Sequence, residues 1–300
     1  MKFRLSMVGL PILIGALLFV ASYGTTQAAM PLQATAAATS KAGSAATAEA
    51  TMSATASAGE TTRATAQATT AFTVSCGQLP NDAALKAALT KARQTQNGGF
   101  NLDMWATIVD RDGVVCAVTF TGSNRGDQWP GSRVISAQKA NTANAFSLPK
   151  LALSTANLYS AVQPGGSLFG LQESNPVDPA VAYGGNAAQY GQANDPMVGK
   201  KIGGINVFGG GLALYNSSGQ IVGGLGVSGD SSCADHNIAW KTRSNLKLDY
   251  VPGGVSSTKD DNIVYDISGG KSASGWGHPE CSPDATSIGQ ALPKDFPISH

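Results

Sequence analysis

The chain has 300 residues, a formal net charge of +1 and only 13% charged residues. Surfaces that bind nucleic acid or anionic membranes carry clusters of Lys and Arg, and the sequence has none, so we exclude both classes of partner. The length leaves room for one ordinary domain with additional segments.

Residues 1–29 have the composition of a secretory signal peptide. Lys2 and Arg4 precede an apolar run, and the segment ends in small residues with a cleavage site after Ala28 or Ala29. A run of about 15 apolar residues is too short to span a bilayer, and a retained membrane anchor is the alternative. We therefore expect an exported protein, periplasmic or extracellular, whose mature chain has no transmembrane segment.

Residues 30–73 are almost entirely Ala, Thr and Ser. Such a segment has little apolar surface to bury and cannot offset the conformational entropy that it would lose on ordering, so we expect a disordered linker. The globular domain then comprises residues 74–250, and residues 251–300 form a C-terminal extension.

Four cysteines lie in the globular part and its extension. In an exported protein an even number of cysteines favours disulfides, and without C-x-x-C spacing a zinc site has little support. Three pairings are possible. We favour the pairing of neighbours in sequence, because each bridge would then tie a segment at the edge of the domain to its core. The predicted bridges are Cys76–Cys116 and Cys233–Cys281.

Helices and hairpins alternate along the globular part. The predicted elements are, in order, a helix capped by Asn81 or Asp82, a hairpin of strands 102–109 and 114–120 around the turn 110–113, a helix over 132–146, a short helix over 154–162, a second hairpin whose outgoing runs 205–208 and 212–215 return as 220–227, a last helix, and a short strand over 260–266. A long loop over 163–204 separates the hairpins, and loops of this length are functional or disordered. Either this loop or the extension could cover or reshape a pocket.

The second hairpin ends in Gly224-x-Gly226-x-x-Gly229, which has the spacing of a dinucleotide-binding fingerprint. That fingerprint needs a crossover to a parallel strand, whereas the short turn over 216–219 allows only an antiparallel pair. Asp230 would also place a negative charge where a pyrophosphate binds. We therefore interpret the glycines as strand residues that a helix or a ligand approaches closely.

Three motifs in this order resemble the GlcG/HbpS family of haem-binding-type domains, over about residues 81–248. The motifs are Val109-Asp110-x-x-Gly113, Ala137-x-Lys139-Ala140-x-Thr142-Ala143-x-x-Phe146, and Val222-Gly-Gly-Leu-Gly-Val-Ser-Gly229 followed by Asp235 and Ala239. The resemblance implies an α+β fold, profilin-like in layout, with an antiparallel sheet of about five strands flanked by helices. It also implies homo-oligomers and links to haem binding or to redox sensing.

From this resemblance we predict an exported haem- or small-molecule-binding protein that forms homo-oligomers, with haem as the candidate cofactor. The sequence has no triad spacing, metal cluster or paired acids, so we predict no catalytic residues and favour a binding protein over an enzyme. Two alternatives stay open. One is an oligomeric extracytoplasmic sensory or scaffold protein that uses the long loop for partners, and the other is a haem-degrading redox enzyme.

His236 is the predicted ligand of the haem iron, since Trp240 lies on the same helical stripe and paired cysteines cannot ligate. The alternative is a buried histidine that is hydrogen-bonded near a disulfide. Lys139 is either a helix-surface charge or a contact for a propionate. Trp129 and Arg133 flank the start of the same helix and could line a cleft, with loop anchoring as the alternative for Trp129. Further residues of ligating type are His278, Tyr183 and Tyr190.

Overall fold

The structure is a computed structural model, and it describes residues 76–299. The predicted signal peptide, residues 1–29, and nearly all of the predicted linker, residues 30–73, lie outside the described residues and stay predictions. Within residues 76–299, none of the helices has the length and hydropathy needed to cross a membrane.

Helix, hairpin, helix, hairpin and helix follow one another in the predicted order, whereas a short helix in the long loop, a small hairpin and a C-terminal helix were not predicted. The elements are α1 (Asp82–Arg93), β1 (Trp105–Asp110), β2 (Val115–Phe120), α2 (Ser132–Phe146), α3 (Pro179–Ala182), β3 (Gly211–Tyr215), β4 (Ile221–Ser228), α4 (Ser232–Asn245), β5 (Ile267–Ser268), β6 (Lys271–Ser272) and α5 (Pro283–Asp295). Strands β1 to β4 form one antiparallel sheet in the order β2-β1-β4-β3, and β5 and β6 form a separate hairpin. The predicted α+β class is therefore confirmed.

The main sheet has four strands, and the prediction of about five was wrong. The segment over 260–266 forms no strand, because its backbone groups bond to side chains and to isolated backbone atoms and not to a continuous neighbouring strand. Asn157 Nδ2 donates to Asn262 O at 3.0 Å, and Asn262 Nδ2 donates to Gly289 O of α5 at 2.8 Å. Residues 205–208 also lie outside the sheet, because β3 begins only at Gly211.

The predicted helix over 154–162 is replaced by two short 3₁₀ turns, Ala156–Leu158 and Ser160–Val162. Ser154 N donates to the Asn157 side-chain Oδ1 at 3.0 Å. Side-chain acceptors of this kind compete with the helical hydrogen bonds of the backbone, and this competition favours turns over a regular helix.

Successive residues of the central strands point to opposite faces of the sheet, and each face has its own helices. Trp105 and Val109 pack with α2, whereas Ala106 and Ile108 pack with α1 and α4. Every residue of β1 and β4 is consequently buried. The sheet is the middle one of three layers.

The glycines of β4 allow α2 to lie directly on the sheet. A Cβ on Gly226 would collide with Ser136 O, and one on Gly224 would collide with Ala140 O. Both oxygens are backbone atoms of α2, so no side chain could move aside. The hairpin turn over 216–219 joins β3 to β4 as an antiparallel pair. The interpretation of these glycines as close-packed strand residues is therefore confirmed.

Replacing Gly226 by Ala should destabilise the fold by about 1–3 kcal/mol, because the added methyl group must push α2 away from β4. Gly131→Ala is the matched control: its Cβ position is open and its φ of −63° suits alanine. Chemical denaturation of both variants at neutral pH measures the difference. Equal free energies of unfolding would contradict the close packing.

Both predicted disulfides are present. Cys76–Cys116 ties the start of the described chain to β2, and Cys233–Cys281 ties the first turn of α4 to the segment that precedes α5. The two bridges close loops with sequence separations of 40 and 48 residues. In the chain-entropy model, loops of this size stabilise a fold by about 4 kcal/mol each.

The C-terminal extension packs against α4. Trp240 Nε1 donates to Phe296 O at 2.9 Å. Arg243, also on α4, forms a fully buried ion pair with Asp261, in which Arg243 Nη1 and Asp261 Oδ2 lie 2.6 Å apart. The extension thus supplies partners for buried polar groups of α4, and these contacts hold the extension in place.

Candidate functional site

His236 lies on α4 and is fully buried. Its Nε2 is 3.2 Å from Asn262 Oδ1, and its ring centroid is 6.3 Å from that of Trp240. Its Nδ1 has no hydrogen-bond partner among the described residues. Burial lowers the pKa of His236 to about 3, so the ring is neutral. A haem could reach Nε2 only by displacing the segment around Asn262.

Lys139 is buried, so its interpretation as a helix-surface charge was wrong. Its side chain is 1% exposed, and Nζ donates to Asp235 Oδ2 at 2.7 Å and to Val227 O at 3.1 Å. Burial lowers the pKa of Lys139 and raises that of Asp235, and the attraction between the two charges opposes both shifts. The pair links α2 to β4 and α4, and a propionate could contact Nζ only by breaking this link.

Arg133 is buried beneath the long loop over 163–204. Its guanidinium donates to both carboxylate oxygens of Asp195 and stacks 3.7 Å from the ring centroid of Tyr190. Paired donors to one carboxylate fix the geometry as well as the charge, so the loop is anchored on α2. Trp129, in contrast, remains 52% exposed just before that helix.

The five residues predicted to bind a ligand do not converge on one cavity. His236, Lys139, Arg133 and Trp240 are each buried against a different protein partner, whereas Trp129 is half exposed at the surface. Their roles in ligand binding stay predictions. The clefts that the structure contains are lined by other residues.

A surface cleft of about 830 Å³ lies between the long loop and the C-terminal extension. Residues 159–166 form one wall and residues 267–279 form the other. Pockets for cofactors and small molecules measure about 300–1,000 Å³. Cavities beside α1 and beside the β3–β4 turn are about half as large, at about 480 and 420 Å³. The larger cleft is therefore the candidate site.

The lining of the cleft combines apolar surface with two groups that suit an anionic ligand. Tyr159 offers a phenol, one of the protein groups that ligate haem iron. Lys271 offers an exposed ammonium group that can pair with a carboxylate. Pro164, Ile267 and Pro279 supply apolar contacts. This set offers contacts for a partly apolar ligand that carries a carboxylate.

His278 lies behind Tyr159, with the two ring centroids 5.1 Å apart. Its Nδ1 is 2.7 Å from Pro279 O, an acceptor only, so Nδ1 carries the proton and Nε2 accepts from Ser232 Oγ at 2.8 Å. Burial lowers the pKa of His278 to about 4, and the ring is therefore neutral. The imidazole holds the extension against α4 and supports the Tyr159 ring.

The sequence identifies the two segments that form the cleft but not the residues that carry its chemistry. The long loop and the extension stand out by composition. Tyr159 and Lys271 lie in no motif, and nothing in the sequence brings them together. The one available signal is the Cys233–Cys281 bridge, which predicts that the neighbourhood of His278 lies beside α4.

One antiparallel sheet covered by helices on both faces defines an α+β domain, and a cleft of cofactor size lies between two of its surface segments. A family model described as "Haem degrading protein HbpS-like" matches residues 79–243, more than half of the chain. The chain therefore belongs to the HbpS-like family, as the three sequence motifs predict.

Several solved structures are similar to this chain. A PduOC:heme complex is 25% identical, with a TM-score of 0.39 over 56% of this chain and 93% of that one. Klebsiella pneumoniae protein ORFY is also 25% identical, with a TM-score of 0.38 over 56% and 90%. A double mutant of HbpS from Streptomyces reticuli is 18% identical, with a TM-score of 0.39 over 64% and 98%. Among curated proteins no significant match was found. Family membership rests on the family model.

Proposed function

We propose that this chain is an exported haem- or small-molecule-binding protein whose ligand occupies the cleft between residues 159–166 and 267–279. The haem-related description of its family supports the ligand class. The observation that carries the proposal is a cleft of cofactor size that presents a phenol from Tyr159 and an ammonium from Lys271.

The cleft is a better place for the ligand than α4. His236 is enclosed by Asn262 and Trp240, and binding there would require the extension to detach. Tyr159, by contrast, lines open space while its ring is supported by His278. A ligand can enter the cleft without breaking any hydrogen bond of the buried layer.

In this arrangement Tyr159 would hold the iron through its phenolic oxygen and Lys271 would pair with a propionate. Bound haem would supply an iron centre whose redox potential depends on the axial ligand and on the polarity of its surroundings. His278 would keep the phenol ring in place, because it is fixed between Ser232 and Pro279 O.

Titration of the full chain with haemin should give a shifted Soret band that saturates at one equivalent. Tyr159→Phe should change the band and weaken binding about tenfold or more, the equivalent of about 1.4 kcal/mol. His236→Gln is the control and should keep the wild-type spectrum. A Tyr159→Phe spectrum identical to that of the wild type would contradict the proposal. Loss of the shifted Soret band in His236→Gln alone would assign the iron to α4.

The same sample distinguishes binding from degradation. A haem-binding protein should keep its Soret band when a reductant and oxygen are supplied, apart from the shift that reduction of the iron causes. Steady loss of the band with release of iron would assign the haem-degrading alternative instead.

Export is part of the proposal and predicts a processed N-terminus. Expressed as residues 1–300 in a bacterium, the mature protein should begin at Ala29 or Met30, because the small residues before these positions form the cleavage site. Intact-mass measurement of the protein recovered outside the cytoplasm tests this. Recovery only of chains that retain residues 1–28 would contradict it.

A further inference from the structure

We propose that reduction of the Cys233–Cys281 disulfide creates a site for a thiophilic divalent metal ion such as Zn²⁺. The ligands are the two thiolates and His278 Nδ1. This site shares His278 with the haem proposal, in which that ring supports Tyr159, but it requires neither Tyr159 nor Lys271 and no ligand in the cleft.

The donor atoms already lie together. One ligand atom from each of Cys233, Cys281 and His278 lies within 4.8 Å of the others, and Cys233 Sγ is 3.9 Å from His278 Nδ1. Bond lengths of about 2.3 Å to sulfur and 2.0 Å to nitrogen place tetrahedral zinc ligands about 3.5–4 Å apart. The nitrogen thus lies at a ligand's spacing from Cys233 Sγ, and binding requires Nδ1 to give up its hydrogen bond to Pro279 O and the two sulfur atoms to separate.

The imidazole is held from its far side by a hydrogen bond at Nε2. Ser232 Oγ lies 2.8 Å from His278 Nε2 and itself accepts from Gly209 N at 2.7 Å. When Nδ1 loses its proton to bind a metal, Nε2 carries the proton and donates it to Ser232 Oγ. Metal-ligating histidines are oriented in this way by a hydrogen bond at the other ring nitrogen.

Both cysteines are placed for reduction and for metal binding. Cys233 is the second residue of α4, where the partial positive charge of the helix N-terminus favours a thiolate. Cys281 is exposed and lies in the segment before α5, so an external thiol can attack its sulfur and the chain can adjust. Water can fill the fourth coordination position.

The chemistry balances with an external dithiol as the reductant. Its two sulfur atoms become a disulfide, and their two electrons and two protons convert the Cys233–Cys281 bridge into two thiols. Binding of the metal ion then releases both thiol protons. Reoxidation of the two thiolates would eject the metal, so occupancy of the site reports the redox state of the surroundings.

The second disulfide provides a matched contrast. Its nearest further donor is Asp110, whose Oδ1 accepts from Asp112 N and Val114 N in the turn between β1 and β2. Cys76 and Cys116 thus neighbour a carboxylate that closes a hairpin, and zinc sites built on two cysteines are completed mostly by histidine or further cysteine. We expect metal binding at the first pair and not at this one.

Anaerobic titration with Co²⁺, whose thiolate complexes give near-ultraviolet charge-transfer bands, tests the site. The full chain carrying Cys76→Ser and Cys116→Ser, reduced with a phosphine, should bind one equivalent with these bands, and its oxidised form should show none. Ser232→Ala should weaken binding about tenfold, and His278→Gln should weaken it further. Near-ultraviolet circular dichroism establishes that each variant is folded.

His278→Gln leaves both disulfides intact, so it remains informative even if cysteine variants fail to fold. Equal Co²⁺ affinity in reduced wild type and reduced His278→Gln would overturn the proposal, as would the absence of charge-transfer bands in the reduced wild type. Retention of the bands in a chain that carries Cys233→Ser and Cys281→Ser would assign the metal to the other pair and overturn it too.

Discussion

Replacing Lys139 by Met should lower the free energy of unfolding by about 3–5 kcal/mol, because Asp235 would remain buried without its partner. The Asp235 side chain is 3% exposed and cannot recover its lost ion pair from water. The haem affinity of the folded variant should stay at the wild-type value, since Lys139 lies outside the cleft. Denaturant unfolding and haemin titration of the same preparation measure both quantities.

Two further variants separate the ion pair from other effects of the change. Lys91→Met removes an exposed lysine from α1 and should change the stability little. Combining Lys139→Met with Asp235→Asn removes both buried charges and should recover part of the loss. A Lys139→Met variant of wild-type stability whose haem affinity falls would instead support a propionate contact.

Lowering the pH from about 7 to about 5 should cost about 2 kcal/mol of stability through His236 alone. Burial lowers the pKa of His236 from 6.5 to about 3, mainly by desolvation. In the unfolded chain the imidazole binds a proton below pH 6.5, whereas in the folded protein it stays neutral until about pH 3. Its stabilising contribution is thus complete above pH 6.5 and is lost as the pH falls.

The charged surroundings of His236 support this direction. Besides burial, the charge of Arg243 disfavours protonation of the ring, whereas the hydrogen bond to Asn262 and the charge of Asp260 favour it. His236→Gln removes the titrating group, so its unfolding free energy should fall less steeply with pH than that of the wild type. Parallel pH profiles for the two proteins would show that His236 is accessible to protons in the folded state.

Local elements of the fold follow from the sequence because their causes are local. The Asn81 side chain caps α1 by accepting from Ala84 N at 3.0 Å, as its position before an apolar stripe predicts. Gly113 adopts a φ of +77° in the turn between β1 and β2, where glycine is the residue that fits. The cysteine pairing also followed from position alone.

The features that the sequence did not predict depend on contacts between residues far apart in the chain. From its own helix alone, Lys139 is predicted to be a surface lysine. It is buried because it pairs with Asp235, which lies 96 residues away in sequence. The two walls of the cleft meet where Ser160 Oγ donates to Gly277 O at 2.6 Å, a contact between residues 117 positions apart. The strand expected over 260–266 failed for the same reason, since tertiary partners satisfied its polar groups.

The affinity of haemin for a charge-reversed cleft tests whether the ligand binds there. Lys271→Glu places a negative charge in the wall of the cleft, and it should weaken haemin binding at least about tenfold, or about 1.4 kcal/mol. Lys201→Glu changes a lysine that is also exposed but lies outside the cleft, and it should bind haemin as the wild type does. Equal affinities for Lys271→Glu and the wild type would contradict the assignment of the ligand to this cleft.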